Sequence, residues 1–180
     1  MLTKEQWREA RDRAWAMLRK AGIVLTAEEL ERLEVADFGL EMLEDIGLEV
    51  LTYVNTDRVC AKEIIGFPWQ ICPEHMHPSV TGRPGKEETF RCRWGEVRLY
   101  VDGPASETFL ARLPAQRGEY LTVRHQIVLH PGEQYTLMPE TWHWFQAGPA
   151  GAIVSEFSTH STDEADIFRD PAIARIPVVE

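Results

Sequence analysis

A chain of 180 residues with 44% hydrophobic and 27% charged residues is long enough to bury one sizeable core and has the balance of an ordinary globular protein. Its net charge of −10 and pI near 5.1 leave no basic surface to neutralise phosphates, which argues against nucleic acid or an anionic membrane as partner and for a small molecule. The first residues, MLTKEQWREARDRAW, mix charges from the first turn, no apolar run reaches membrane-spanning length, and the widely spaced Cys60, Cys72 and Cys92 form no CxxC pair, so they read as reduced thiols of a cytoplasmic protein.

Thr3 and Gln6 have the spacing of a capping box, and Trp7, Ala10, Ala14 and Leu18 follow at helical spacing until Gly22. A second helix is expected from a Thr26 cap with Glu29 three residues on, burying Leu30 and Leu33. Leu40, Leu43 and Ile46 suggest a short third piece that Gly47 ends. From Glu49 the texture changes to short runs rich in Val, Ile, Tyr, Thr and Trp, broken by Gly, Pro and Asp, the pattern of an all-β sandwich or barrel. Strands are expected at Val50–Val54, Glu63–Phe67, Trp69–Cys72, Glu88–Arg93, Glu96–Val101, Tyr120–Leu129, Gln134–Met138, Trp142–Ala147 and Ala152–Phe157, enough for a closed double sheet. Pro78 to Gly85 reads as a loop. The organisation is one domain overall, with a helical extension over residues 1–48, a barrel over 49–160 and a packed extension over 161–180.

The chemistry-bearing residues are His75, His77, Glu88 and His143. Residues i and i+2 of a strand face the same way, so His75 and His77 would project toward one point. Glu88, beyond a Pro/Gly-rich hairpin, could oppose them with a carboxylate that offsets the charge of a divalent ion. Taken singly, a strand histidine is more often a core or surface residue, and Lys86-Glu87-Glu88 is a solvated charge run. What shifts the balance is Gly95, seven residues after Glu88, read as a turn that ends the strand.

HxH, a gap, a glutamate, six residues and a glycine resembles the first motif of the cupin superfamily, with the gap expanded. Gly132, Pro139 and His143 in PGEQYTLMPETWHWF resemble the second, with Pro139 and His143 one residue closer than usual. The resemblance implies a mainly β fold, the double-stranded β-helix or jelly-roll barrel, with the N-terminal helices as an extension. Three imidazoles and a carboxylate favour an octahedral divalent metal such as manganese, iron, cobalt or nickel over structural zinc, with two positions left for substrate. Two open positions suit a substrate that chelates through adjacent oxygens.

Lys86, two residues before Glu88, shares its strand face, although a hairpin lysine can equally point to solvent. Glu156 sits in the mostly apolar VSEFS, where a carboxylate needs a reason; near a metal it is a general-base candidate. The segments CPEHMHP, GKEETF, LHPGEQYTLMPETWHWF and IVSEFSTHSTDEADIF narrow the resemblance to the cupin-type D-lyxose ketol-isomerases over roughly residues 66–170. That resemblance implies metal ligands at His75, His77, Glu88 and His143, a catalytic glutamate at Glu156, a pocket lysine at Lys86 and a substrate-binding acid among Asp163, Glu164 and Asp166, with Asp166 best placed before Phe168. It further implies manganese as the metal, a free sugar as substrate, a homodimer, and interconversion of D-lyxose with D-xylulose and of D-mannose with D-fructose. Proton transfer through a cis-enediol and a metal-assisted hydride shift both use these residues. Two other readings stand beside it: a cupin dioxygenase, in which Glu156 would have no evident job, and a non-catalytic sugar-binding cupin. Arg83, Arg91 and Arg93, near the metal hairpin, would serve a phosphorylated sugar but read more simply as a solvated face.

Overall fold

A computed structural model describes residues 2–176 and 178–180. Helix α1 (Lys4–Lys20) begins where the Thr3 hydroxyl accepts from the Gln6 amide while the Gln6 side chain accepts from the Thr3 amide. Helix α2 (Ala27–Glu31) begins at Thr26 with the same reciprocal arrangement through Glu29. Each box satisfies two amides that the first helical turn leaves without partners. The expected third helix is absent, because Phe38, Gly39 and Glu41 have φ of 53°, 72° and 58°, a left-handed backbone that forces turns.

Among the described residues nine strands follow: β1 (Glu34–Ala36), β2 (Leu48–Asn55), β3 (Cys60–Gly66), β4 (Ile71–Met76), β5 (Glu88–Val101), β6 (His125–Leu129), β7 (Gln134–Leu137), β8 (His143–Ser158) and β9 (Ile167–Phe168). The strands expected at 88–93 and 96–101 are one, β5, and those at 142–147 and 152–157 are one, β8. Gly95 therefore bends a strand and does not end it. At its φ of 72° a Cβ would lie 2.0 Å from the Gly151 carbonyl oxygen, so only glycine fits the bend. The strand expected from Tyr120 starts at His125, since Gly118–Tyr120 form a 3-10 turn.

The two bent strands organise everything else. Along β8, residues 152–158 pair with β3 and the first half of β5, while residues 143–147 pair with β4 and the second half of β5. Strands β7 and β6 extend β5 on its other edge, and β1, β2 and β9 complete the order. Two sheets thus share β5 and β8 and face one another. Their inner faces enclose a core that includes Leu48, Val50, Ile64, Phe90, Leu99, Phe145 and Val154. Outside, Ala10, Ala14 and Leu18 of α1 cover Ile65, Phe67 and Ile153, each large side chain contributing roughly 2 kcal/mol through burial. The segment after β5 covers the other sheet with Leu121 and Val123 on Ile71, Tyr100 and Trp144. Cys60, Cys72 and Cys92 are buried free thiols, and among the described residues no helix is long and apolar enough to cross a membrane.

Candidate active site

At one end of the barrel the inward positions stop being apolar. On β3 Lys62 shares the parity of Ile64, on β5 Glu88 that of Phe90, and on β8 His143 that of Phe145 and Glu156 that of Val154. A register shift between Cys72 and His75 on β4 lets both line the cavity although they are three residues apart. His77 lies just past the end of β4. These side chains line or abut one cavity at that end of the barrel.

The structure brings His75, His77 and His143 together, with one ring nitrogen from each within 4.8 Å of the others, all three buried. Backbone carbonyls of Pro73 and Thr141 accept from Nδ1 of His75 at 2.8 Å and of His143 at 2.9 Å. A carbonyl only accepts, so the proton of each neutral ring sits on Nδ1 and its Nε2 offers a lone pair. Burial, and then the charges of the other two histidines, hold His75 well below its ordinary value, which keeps it neutral. His77 is oriented by a carboxylate instead: its Nδ1 lies 2.6 Å from Asp166 Oδ1.

Glu88 faces this cluster. Its Oε1 lies 3.3 Å from His77 Nε2 and 3.1 Å from His143 Nε2, and its Oε2 lies 2.7 Å from Lys86 Nζ. Burial would push the Glu88 carboxyl up, yet the Lys86 ammonium and His77 hold it well below the usual carboxylate range. His143 Nε2 is buried with no donor to satisfy it and points at a carboxylate oxygen, so two lone pairs oppose each other. Burial works against a charged His77, but Glu88 and Asp166 outweigh it and raise its pKa to about 9. The three imidazoles and Glu88 form a donor set that fits a divalent cation, which displaces the His77 proton as it binds.

Lys86 stands between this set and Glu156, its Nζ 3.3 Å from Glu156 Oε1 and 3.8 Å from Asp163 Oδ1. Burial disfavours an ammonium here, but Glu156 and Glu88 hold Lys86 well above its ordinary value, so it is a lasting positive charge. The Ser158 hydroxyl donates to Glu156 Oε1 at 3.0 Å. Asp163 is held well down, against its own burial, by Lys86, Lys62 and Arg175; Lys62 Nζ lies 2.7 Å and Arg175 Nη2 3.0 Å from its Oδ2.

Of the residues expected from sequence, His75, His77, Glu88, Lys86, Glu156, Asp163 and Asp166 line one cavity and His143 abuts it, whereas Glu164 is exposed. Arg91 and Arg93 alternate with the inward residues of β5, bonding to Gln134 and Ser155 on the outer face, and exposed Arg83 lines a separate groove. Lys62 and Arg175 were missed. A charge at the inward parity of an apolar strand was the available sign of Lys62; Arg175, in the tail, gave none.

The model of the D-lyxose isomerase family matches residues 115–180. The D-lyxose ketol-isomerase of Cohnella laeviribosi is 62% identical over 175 residues, 97% of this chain and 96% of that one. The D-lyxose/D-mannose isomerase of Thermosediminibacter oceani is 58% identical over 180 residues, 100% of this chain and 99% of that one. Among solved structures, the L-ribose isomerase of Cellulomonas parahominis superposes with a TM-score of 0.81 at 17% identity, covering 99% of this chain and 98% of that one. At that identity the likeness shows the fold, a mainly β, strongly curled double-stranded β-helix with an N-terminal helical extension.

Proposed function

Since the chain belongs to the D-lyxose ketol-isomerase family and is an isomerase, we propose that it interconverts D-lyxose and D-xylulose, and D-mannose and D-fructose, by moving a proton between C1 and C2 of the open-chain sugar. The observation that carries the reading is the Lys86 ammonium set between Glu156 and the carboxylate of the histidine cluster, 3.3 Å from one and 2.7 Å from the other. A divalent cation held by His75, His77, Glu88 and His143, with manganese preferred to iron, cobalt or nickel, would supply Lewis-acid polarisation of the carbonyl and its neighbouring hydroxyl. Glu156 removes the C2 proton and returns it to C1 through a cis-enediol, while the O2 proton passes to O1. Lys86, fixed in its charged form, stabilises the oxygen that becomes negative in between. Lys62, Asp163 and Arg175 form the wall available to the remaining hydroxyls.

Asp166, expected from sequence to bind substrate, bonds to His77, so its role in this reading is to hold that ring. The protein acts on free sugars as a cytoplasmic homodimer. Buried free thiols support the compartment, and Tyr53 and Phe157, exposed on the outer face of β2 and β8, support association. The test is turnover of a panel of free aldoses by manganese-reconstituted protein beside Glu156→Gln. Lost turnover with unchanged metal content and release of at least part of a C2 deuterium to solvent are expected, because the proton on Glu156 exchanges before all of it returns to C1. Unchanged turnover by the variant removes Glu156 as the base, and deuterium wholly retained in product means a hydride shift.

A further inference from the structure

Behind the wall that carries His75, a buried carboxylate has no part in the reaction above. Glu74 precedes His75 on β4 and points to the opposite face, where its side chain is fully buried. It accepts from the amides of Thr122 and Val123, from the Thr122 hydroxyl at 2.8 Å and from Arg169 Nε at 2.9 Å. The Arg169 amide also donates to the Glu74 carbonyl at 3.0 Å, and the guanidinium carbon lies 3.6 Å from the centre of the Trp142 ring.

These contacts converge on all three histidines. Glu74 adjoins His75, and Trp142 adjoins His143. Arg169 follows Phe168, which pairs with His75 across the sheet and stacks on its ring at 5.4 Å, and stands three residues after Asp166, the partner of His77. Strand β9 has only two residues, too few to hold its own register. The Glu74–Arg169 pair and the stack on Trp142 supply what the ladder lacks.

We propose that Arg169, anchored on Glu74 and stacked on Trp142, is a positioning residue for the three-histidine centre, an inference that rests on the reading of that centre as a metal site. Arg169 fixes the segment bearing Asp166 and Phe168 against β4, so His77 and His75 keep the orientations that aim their lone pairs at one point. Loss of a partner standing behind a metal ligand typically weakens metal affinity by about 10–100-fold.

The experiment is a cobalt(II) titration of the full-length, chelator-treated protein, followed by the visible d–d absorption of the ion, for wild type, Arg169→Met and Arg169→Lys. Arg169→Met keeps the aliphatic stem and should lose about tenfold in affinity and alter the band; lysine, lacking the planar group, should recover only part. Glu74→Gln is the second variant, should Arg169→Met not fold. Its amide oxygen can take the two backbone amides, leaving its NH2 opposite the Arg169 donor, and it should reproduce the same loss. Wild-type affinity and an unchanged band in a folded variant overturn the proposal, even if its metal-free melting temperature falls, because that pattern is a structural role alone. If wild type itself takes up no cobalt, the metal reading fails and takes this one with it; if wild type binds and the variants bind equally, only the positioning role fails.

Discussion

Nε2 of His143 lies 3.1 Å from Oε1 of Glu88, and in the neutral ring the proton that could join them is on the other nitrogen, donated to Thr141. Two buried acceptors at this separation repel, and a cation coordinated by both turns the repulsion into attraction. A ligand at 100 times its dissociation constant stabilises a fold by about 2.7 kcal/mol. For a domain of this size that is a rise in Tm of roughly 5–10 °C. Calorimetry of chelator-treated protein with and without manganese should show the rise, and His143→Ala should abolish it. Identical melting curves for wild type would remove the cation site.

Asp166 can be assigned by separating two affinities. If it acts by holding His77 Nδ1, 2.6 Å away, then Asp166→Ala frees the ring to turn and raises the manganese concentration needed for half-activation by about 10–100-fold. The KM for sugar at saturating manganese should change little. The reverse pattern, with metal activation untouched and a much higher sugar KM, would make Asp166 a substrate contact.

How much of this was legible in the sequence depended on the range of the interaction. The caps at Thr3 and Thr26 are local hydrogen-bond chemistry, and both appear as the spacing predicts. The convergence of His75 and His77 was legible from strand parity, although His77 falls just beyond β4 and owes its aim to Asp166. Strands β1 and β9, of three and two residues, are too short to show a period. Within β5, Gly95 reads locally as a stop; that it is a bend depends on Gly151 packed against it from a strand over fifty residues away. Lys62 and Arg175 reach Asp163 from opposite parts of the chain, and only the closed barrel makes them neighbours.

Glu49 offers a test of the fold apart from the site. It is fully buried on β2 under α1, its Oε2 has no partner and its Oε1 is 3.5 Å from the Gln70 amide. Burial raises its pKa well above the ordinary value, and Gln70 and Arg13 offset only part of that. An acid whose folded pKa is raised stabilises the fold less as pH climbs from its unfolded value, near 4.3, through its folded value, because the unfolded chain releases the proton first. Glu49→Gln carries no proton to lose. Each unit of that shift corresponds to about 1.4 kcal/mol. The variant should therefore match wild type near pH 4 and exceed it in stability at pH 8, and the stability of wild type should fall faster over this interval in urea unfolding. A variant with equal or lower stability at pH 8 would show that the fold compensates the ionised Glu49 carboxylate, so that its burial under α1 carries no net cost.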